Sequence, residues 1–331
     1  MLIRKKLFLA IYIGLSLLVG IFIGWFFRGR WWWGEHRPPE IIRIREASNY
    51  RFINPLLAVD TKDKNQFKEL GPLHSEIGDY IKEKVEGGEA RNISFYFRDL
   101  ENGHWTGVGE DEKFSPASML KVATLITYLK LAETDPLLLS HKLYYSGQED
   151  RNLLSHFRPS SSLTAGFYTV EDLLTKMIVD SGNNSDYLLK QNIKVEDLLK
   201  VYTHLQLPLP KGDEDDFMSA KAYSIIFRVL YNSTYLSREM SEKALTLLSK
   251  TTFKKGLSSG IGSGISIADK FGERTIITPD GKIVFRELHD CGIVYNPSPY
   301  FLCVMTKGDS FDKLADIIAH ISGVVFKFAS K

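Results

Sequence analysis

The amino-acid sequence predicts a mixed α/β domain of the α+β type, with one sheet that joins both ends of the chain. Three observations carry this expectation. A strand–turn–strand pattern occupies Asn92 to Gly109, helical patterns fill Ser115 to Ser249, and strands followed by one helix run from Ile267 to Phe328.

Each element has a local reason. His74 to Val85 places Ile77, Tyr80, Ile81 and Val85 at helical spacing. Asn92 to Arg98 alternates as a strand, Glu101-Asn102-Gly103 is a turn, and His104 to Gly109 returns. Ser115-Pro116-Ala117-Ser118 opens a strongly apolar helix that runs to about Ala132. Thr169-Val170-Glu171-Asp172 has the form of a capping box for a helix through Asp180, and a second helix begins near Ser185. Ala220 to Tyr231 and Arg238 to Ser249 are two further helices. The strands Ile267 to Phe271 and Ile283 to Val294 flank the turn Thr278-Pro279-Asp280-Gly281; Phe301 to Thr306 is a third strand and Asp312 to Phe328 the last helix.

The bulk numbers suit a packed enzyme-sized domain. The chain has 331 residues, is 44% hydrophobic and carries 20 Phe and 15 Tyr. Its 42 basic and 40 acidic residues nearly cancel, which gives no reason to expect a nucleic-acid partner. Two cysteines exclude a disulfide scaffold.

The N-terminus reads as a membrane anchor. Residues 1–6, with Arg4, Lys5 and Lys6, form a cytoplasmic tail before an uncharged apolar run over 7–27. A bilayer-spanning helix needs about 20 such residues. The run ends in Phe26-Phe27-Arg28-Gly29-Arg30 and three tryptophans, Trp31 to Trp33, rather than at a small-residue cleavage site. Residues 28–71, with Pro38-Pro39, Pro55 and a charged run from Asp60 to Lys64, read as an interfacial stalk, and 72–331 as the folded domain.

Within the apolar helix one residue stands out. Lys121 is surrounded by Met119, Leu120, Val122, Ala123, Leu125 and Ile126, and a helix apolar nearly all round is a buried one. A lysine there is costly unless paired or deprotonated. Ser118 lies three residues earlier, on the same face. A desolvated lysine of lowered pKa would take the proton of that hydroxyl and make it a nucleophile. Ser-x-x-Lys alone is a weak signal, since Ser310 to Lys313 also matches.

Two further motifs follow in order: Ser181-Gly182-Asn183 at a helix–helix joint, and Lys270-Phe271-Gly272 on a strand. Together with Ser118-x-x-Lys121 the set resembles the signature of the class A β-lactamase and penicillin-binding serine hydrolase superfamily, over about Leu73 to Phe328. The resemblance implies a β-lactamase/transpeptidase-like fold, a mainly antiparallel sheet flanked by helices plus an all-helical subdomain. It implies Ser118 as acylated nucleophile, Lys121 as its base and Ser181 as proton shuttle to the leaving nitrogen. Lys270 would supply positive charge near the substrate carboxylate. Asn183 would contact the substrate's amide side chain, Gly272 would let substrate lie along the strand, and the backbone N–H groups of Ser118 and Glu273 would form an oxyanion hole. The substrate would be a β-lactam or a cell-wall peptide, the domain would lie outside the cytoplasm on a single-pass anchor, and no cofactor is implied.

Three departures qualify this. Gly182 replaces an Asp, and Phe271 replaces a Thr or Ser that would bind the substrate carboxylate. Lys190 to Asp216 is too short for the omega loop whose Glu activates the deacylating water; Glu196 and Glu214 are the remaining candidates there. Acylation then outruns hydrolysis. The alternatives are a D-alanyl-D-alanine carboxypeptidase/transpeptidase-like enzyme and a catalytically inactive binding module of the same fold. Cys291 and Cys303 are placed symmetrically about Asn296-Pro297-Ser298-Pro299, either bonded or buried as thiols. His289-Asp290 reads as a strand-end hydrogen bond rather than an acid–base pair. No His/Cys/Asp cluster has metal-ligand spacing, so no metal is expected.

Overall fold

A computed structural model describes residues 42–45, 50–60 and 67–330, apart from 148, 154, 161 and 210–215. The expected anchor over 7–27 lies outside the described residues, and among these no helix is long and apolar enough to cross a membrane.

In chain order, β1 (Ile42–Arg45) pairs with β2 (Leu56–Asp60), and α1 (Gly71–Glu86) precedes β3 (Asn92–Asp99), β4 (Trp105–Val108) and β5 (Lys113–Phe114). A 3₁₀ turn at Ala117–Leu120 leads into α2 (Lys121–Ala132). Next come β6 (Lys142–Tyr145), β7 (Gly166–Thr169), α3 (Val170–Val179), α4 (Asn183–Gln191), α5 (Val195–His204), β8 (Met218–Ser219), α6 (Ala220–Tyr231), α7 (Arg238–Leu248) and α8 (Leu257–Gly260). The chain closes with β9 (Ser266–Ile277), β10 (Ile283–Tyr295), β11 (Tyr300–Gly308) and α9 (Phe311–Ala329).

The main sheet is antiparallel, in the order β4-β3-β11-β10-β9, so the first strands of the domain pair with the last. Its two faces carry two cores. On one, Leu73, Ile77, Ile81, Leu314, Ile318 and Ile321 of α1 and α9 pack against Phe95, Phe97, Leu288 and Val304. On the other, Phe301, Met305 and Ile293 meet the helical part, at whose centre α2 is buried from Lys121 to Leu129. The predicted capping box is present: Asp172 N–H donates to Thr169 Oγ1 at 3.0 Å, and Thr169 N–H donates to Asp172 Oδ2 at 3.2 Å.

Four details correct or complete the sequence expectations. The apolar run from Ser115 is not one helix: it begins as the 3₁₀ turn, and α2 starts at Lys121 itself. His289 and Asp290 sit in the middle of β10, fully buried, not at a strand end. Cys291 and Cys303 face each other as directly opposed residues of β10 and β11 and form a disulfide. In the expected stalk, Phe52 and Ile53 are buried against the domain, and the backbone N–H groups of Arg51, Phe52 and Ile53 donate to the Glu242 carboxylate.

Behind the sheet, α8 docks on α9 through backbone. A Cβ on Gly260 would lie 1.9 Å from Ala319 O and 2.8 Å from Gly323 N, while Ser322 Oγ donates to Leu257 O at 2.8 Å. Gly260→Ala must therefore push two elements apart, with an expected loss of about 1–3 kcal/mol or more. Denaturant unfolding measures it; an unchanged midpoint would contradict the packing.

Candidate active site

The site forms where the 3₁₀ turn, the α3–α4 joint and β9 converge. The turn is held from three sides. Tyr223 OH donates to Met119 O at 2.9 Å. His289 Nε2–H donates to Ser115 O at 3.0 Å, and its Nδ1 accepts from Thr306 N–H at 3.2 Å. Those two bonds fix a neutral imidazole, and burial pushes its pKa down to about 4. His289 is therefore a buttress under the turn rather than an acid–base group. From the strand side, Gly272 lies so close that a Cβ there would meet Pro116 O at 2.5 Å and Met119 N at 3.3 Å. The missing side chain at Gly272 makes room for the turn that carries Ser118.

Two non-glycine residues at the site adopt the left-handed region, Ala117 at φ 48° and Ser181 at φ 57°. Such backbone costs about 1–3 kcal/mol each and persists only where surroundings enforce it. One immediately precedes Ser118, and the other is the expected shuttle serine.

Lys121 joins the three segments. Its Nζ donates to Ser118 Oγ at 3.0 Å, Ser181 O at 2.6 Å and Asn183 Oδ1 at 2.6 Å, with Ser181 Oγ at 3.4 Å. It is 2% exposed. Burial, then the nearby Lys270, holds its pKa well below the usual lysine value. Lys270 Nζ donates to Ser181 Oγ at 2.9 Å and to Phe271 O at 3.0 Å. It too is buried, and desolvation lowers its pKa to about 8 against the attraction of Asp269 and Asp290. Those two carboxyls lie behind it with their own pKa values raised by burial; Asp269 Oδ1 accepts from Thr251 Oγ1 and Asp290 Oδ2 from Leu257 N–H, each at 2.8 Å.

The resulting cleft measures about 690 Å³ and is lined by Ser118, Lys121, Asn183 and Glu273 among others. The structure thus brings Ser118, Lys121, Ser181, Asn183, Lys270, Gly272 and Glu273 together. Asn183 is spoken for on both sides. Its Oδ1 accepts from Lys121, while its Nδ2–H donates to Ser155 Oγ at 3.0 Å and Arg151 O at 3.2 Å. Phe271 is 5% exposed and stacks on Phe253 at 4.1 Å, with Phe157 edge-on at 6.1 Å. It leaves the cleft open but supplies no hydroxyl.

Several residues here escaped the sequence reading. Glu273 was expected to act through its backbone alone; its carboxylate also accepts from Phe157 N–H at 2.9 Å and His156 N–H at 3.2 Å, strapping the loop before β7 to the strand. Burial raises its pKa. Ser155 and Asp186 also line the cleft. Asp186 lies three residues after Asn183, a helical spacing visible in the sequence. Glu196 is exposed and does not line the cleft, and Glu214 lies outside the described residues. Among the described residues no group of His, Cys, Asp and Glu is placed to hold a metal ion.

If Gly272 serves the turn, Gly272→Ala should loosen Pro116 to Met119 first. Hydrogen exchange of the Met119 amide, which donates to Pro116 O at 3.0 Å, should quicken by at least about tenfold, about 1.4 kcal/mol in an opening equilibrium. Unchanged exchange there would contradict the assignment.

Comparison with known proteins bears on this geometry. The model of the β-lactamase enzyme family matches residues 73–329. No curated protein sequence matches the chain significantly. Among solved structures, the TLA-1 extended-spectrum β-lactamase superposes with a TM-score of 0.66 at 17% identity, covering 80% of this chain and 100% of its own. A β-lactamase from Burkholderia phymatum gives 0.64 at 17%, covering 78% and 99%. A point mutant of PBP-A, solved as an acyl-enzyme complex with penicillin G, gives 0.63 at 19%, covering 78% and 96%. At these identities the superpositions establish the α+β fold of the class A β-lactamases and PBP-A, and the family model covers most of the chain. The chain belongs to the β-lactamase enzyme family and is a serine hydrolase of the β-lactamase type.

Proposed function

We propose that this protein is acylated at Ser118 by β-lactams and releases the acyl group slowly, acting from the outer face of a membrane on its N-terminal anchor. The observation that carries the reading is the contact of a buried, pKa-depressed Lys121 with Ser118 Oγ at 3.0 Å. A neutral amine there accepts the serine proton as Oγ attacks the lactam carbonyl. Ser118 and Glu273 sit on the two segments that meet at Gly272, so their backbone N–H groups are the donors for the developing oxyanion. Ser181, bonded to Lys270 and within 3.4 Å of Lys121, then passes a proton to the departing nitrogen. The cross-strand Cys291–Cys303 disulfide supports an oxidising, extracytoplasmic location. Slow release follows from the short Lys190–Asp216 segment, from which no described carboxylate reaches the cleft.

A second reading, a cell-wall peptidase acting on D-alanyl peptides, uses the same acylation step and is favoured by the same lack of an omega-loop Glu. The inactive binding module is disfavoured, because Lys121 is buried and bonded and Phe271 leaves the cleft open.

Incubation of the full-length protein with a fluorescent penicillin should give a lasting adduct on the wild type. Ser118→Ala should abolish it, and Lys121→Ala should slow it by about 10²-fold or more. Equal labelling of all three would contradict the mechanism, and rapid turnover without an adduct would contradict slow release. Acylation should also depend on pH through both lysines. It rises as Lys121 loses its proton and falls above about pH 8, where Lys270 loses its charge. Lys270→Arg, which stays charged, should move the alkaline limb upward, and a limb that does not move would assign it elsewhere.

A further inference from the structure

The short Lys190–Asp216 segment leaves the question of what removes the acyl group at all. Two carboxylates line the cleft among the described residues, Glu273 and Asp186. Glu273 is committed, since its two oxygens accept from His156 N–H and Phe157 N–H. Asp186 is not. It lies on α4 with Asn183 and Lys190, at positions i, i+3 and i+7, so the three share one face, and all three line the cleft with Ser118 and Lys121. Lys190 Nζ donates to Asp186 Oδ2 at 2.9 Å, which holds the side chain in place and keeps its charge compensated. The carboxylate is 16% exposed, and its other oxygen, Oδ1, is buried and finds no hydrogen-bond partner. A buried carboxylate oxygen without a donor is costly, so a turn of the side chain that brings it to water in the cleft is favoured. The neighbouring contact on the same helix face, Asn183 Oδ1 to Lys121 Nζ at 2.6 Å, puts this corner on the α4 side of the nucleophile, across from β9 and its expected oxyanion donors.

We infer that Asp186, its Oδ1 turned into the cleft, binds and deprotonates the water that hydrolyses the acyl-enzyme, doing from α4 what no described residue of the short segment does. The inference rests on the acylation of Ser118 proposed above. In the step, water donates one proton to Asp186 Oδ1 as its oxygen bonds to the acyl carbonyl carbon. The carbonyl electron pair moves to the oxyanion and returns as the carbon–Oγ bond breaks. The proton on Asp186 passes to the neutral Lys121, which hands a proton to Ser118 Oγ as that bond breaks, and the product leaves as a carboxylic acid. Water is the only co-reactant. An aspartate reaches less far than a glutamate and here is tied to Lys190, so the route is slow.

The test follows benzylpenicillin adducts on the full-length protein by intact mass, after excess drug is removed. Asp186→Asn, which keeps size and polarity, should lengthen adduct lifetime by about 10²-fold while adduct still forms. In Asp186→Ala, added formate should shorten the lifetime in proportion to its concentration, which a purely structural role would not produce. An adduct whose lifetime is the same in wild type and Asp186→Asn, or no formate rescue, overturns the role of Asp186 and leaves acylation standing. No adduct on the wild type, together with no turnover, overturns both readings.

Discussion

The structure depends on a lysine in a place where a lysine should not be. Lys121 begins a helix buried on every side, and a charged ammonium in such a place is costly unless partners replace water. Here the partners are Ser118, one turn away, and Ser181 and Asn183, which lie 60 and 62 residues further along the chain. Satisfying Lys121 therefore fixes how the turn before α2 meets the joint before α4. Desolvation does the second part of the work. It depresses the lysine pKa, so the group that organises the site also has a neutral form suited to accept a proton.

The rest of the fold enforces that meeting. Left-handed backbone at Ala117 and Ser181 would relax in isolation. It is held by Tyr223 from α6, by a neutral His289 from β10 and by the close approach of Gly272 from β9. Lys270 completes the arrangement from the strand, its charge tempered by burial and favoured by the acidic pair behind it. The antiparallel order that places β9 at one edge of the sheet is what makes room for this cleft.

Most of this architecture was legible in the sequence because it is written in local patterns. Alternation marked β3, helical spacing marked α1, and Thr169 with Asp172 marked the start of α3. The site residues were legible as three short motifs in order, and the lysine as a charge in an apolar run. Long-range relations were not legible. The role of Gly272 depends on the distant turn at Pro116 to Met119, that of His289 on Ser115, and the double engagement of Asn183 on the loop holding Ser155. Short ladders such as β5 with β8 and β6 with β7 carry too few residues for a period to show. Asp186 was readable as a neighbour of Asn183 on a helix face, but its unpartnered buried oxygen is a property of packing alone.

The central claim, that burial holds Lys121 poised as a base against Ser118, is most directly tested by titrating that one amine. Lysine labelled with ¹³C at Cε, with the Lys121 resonance assigned by its loss in Lys121→Arg, reports the protonation of each side chain by NMR. The account predicts a Lys121 resonance that titrates well below the ordinary lysine range, apart from the surface lysines. A Lys121 that titrates with the surface lysines near their ordinary value would contradict it.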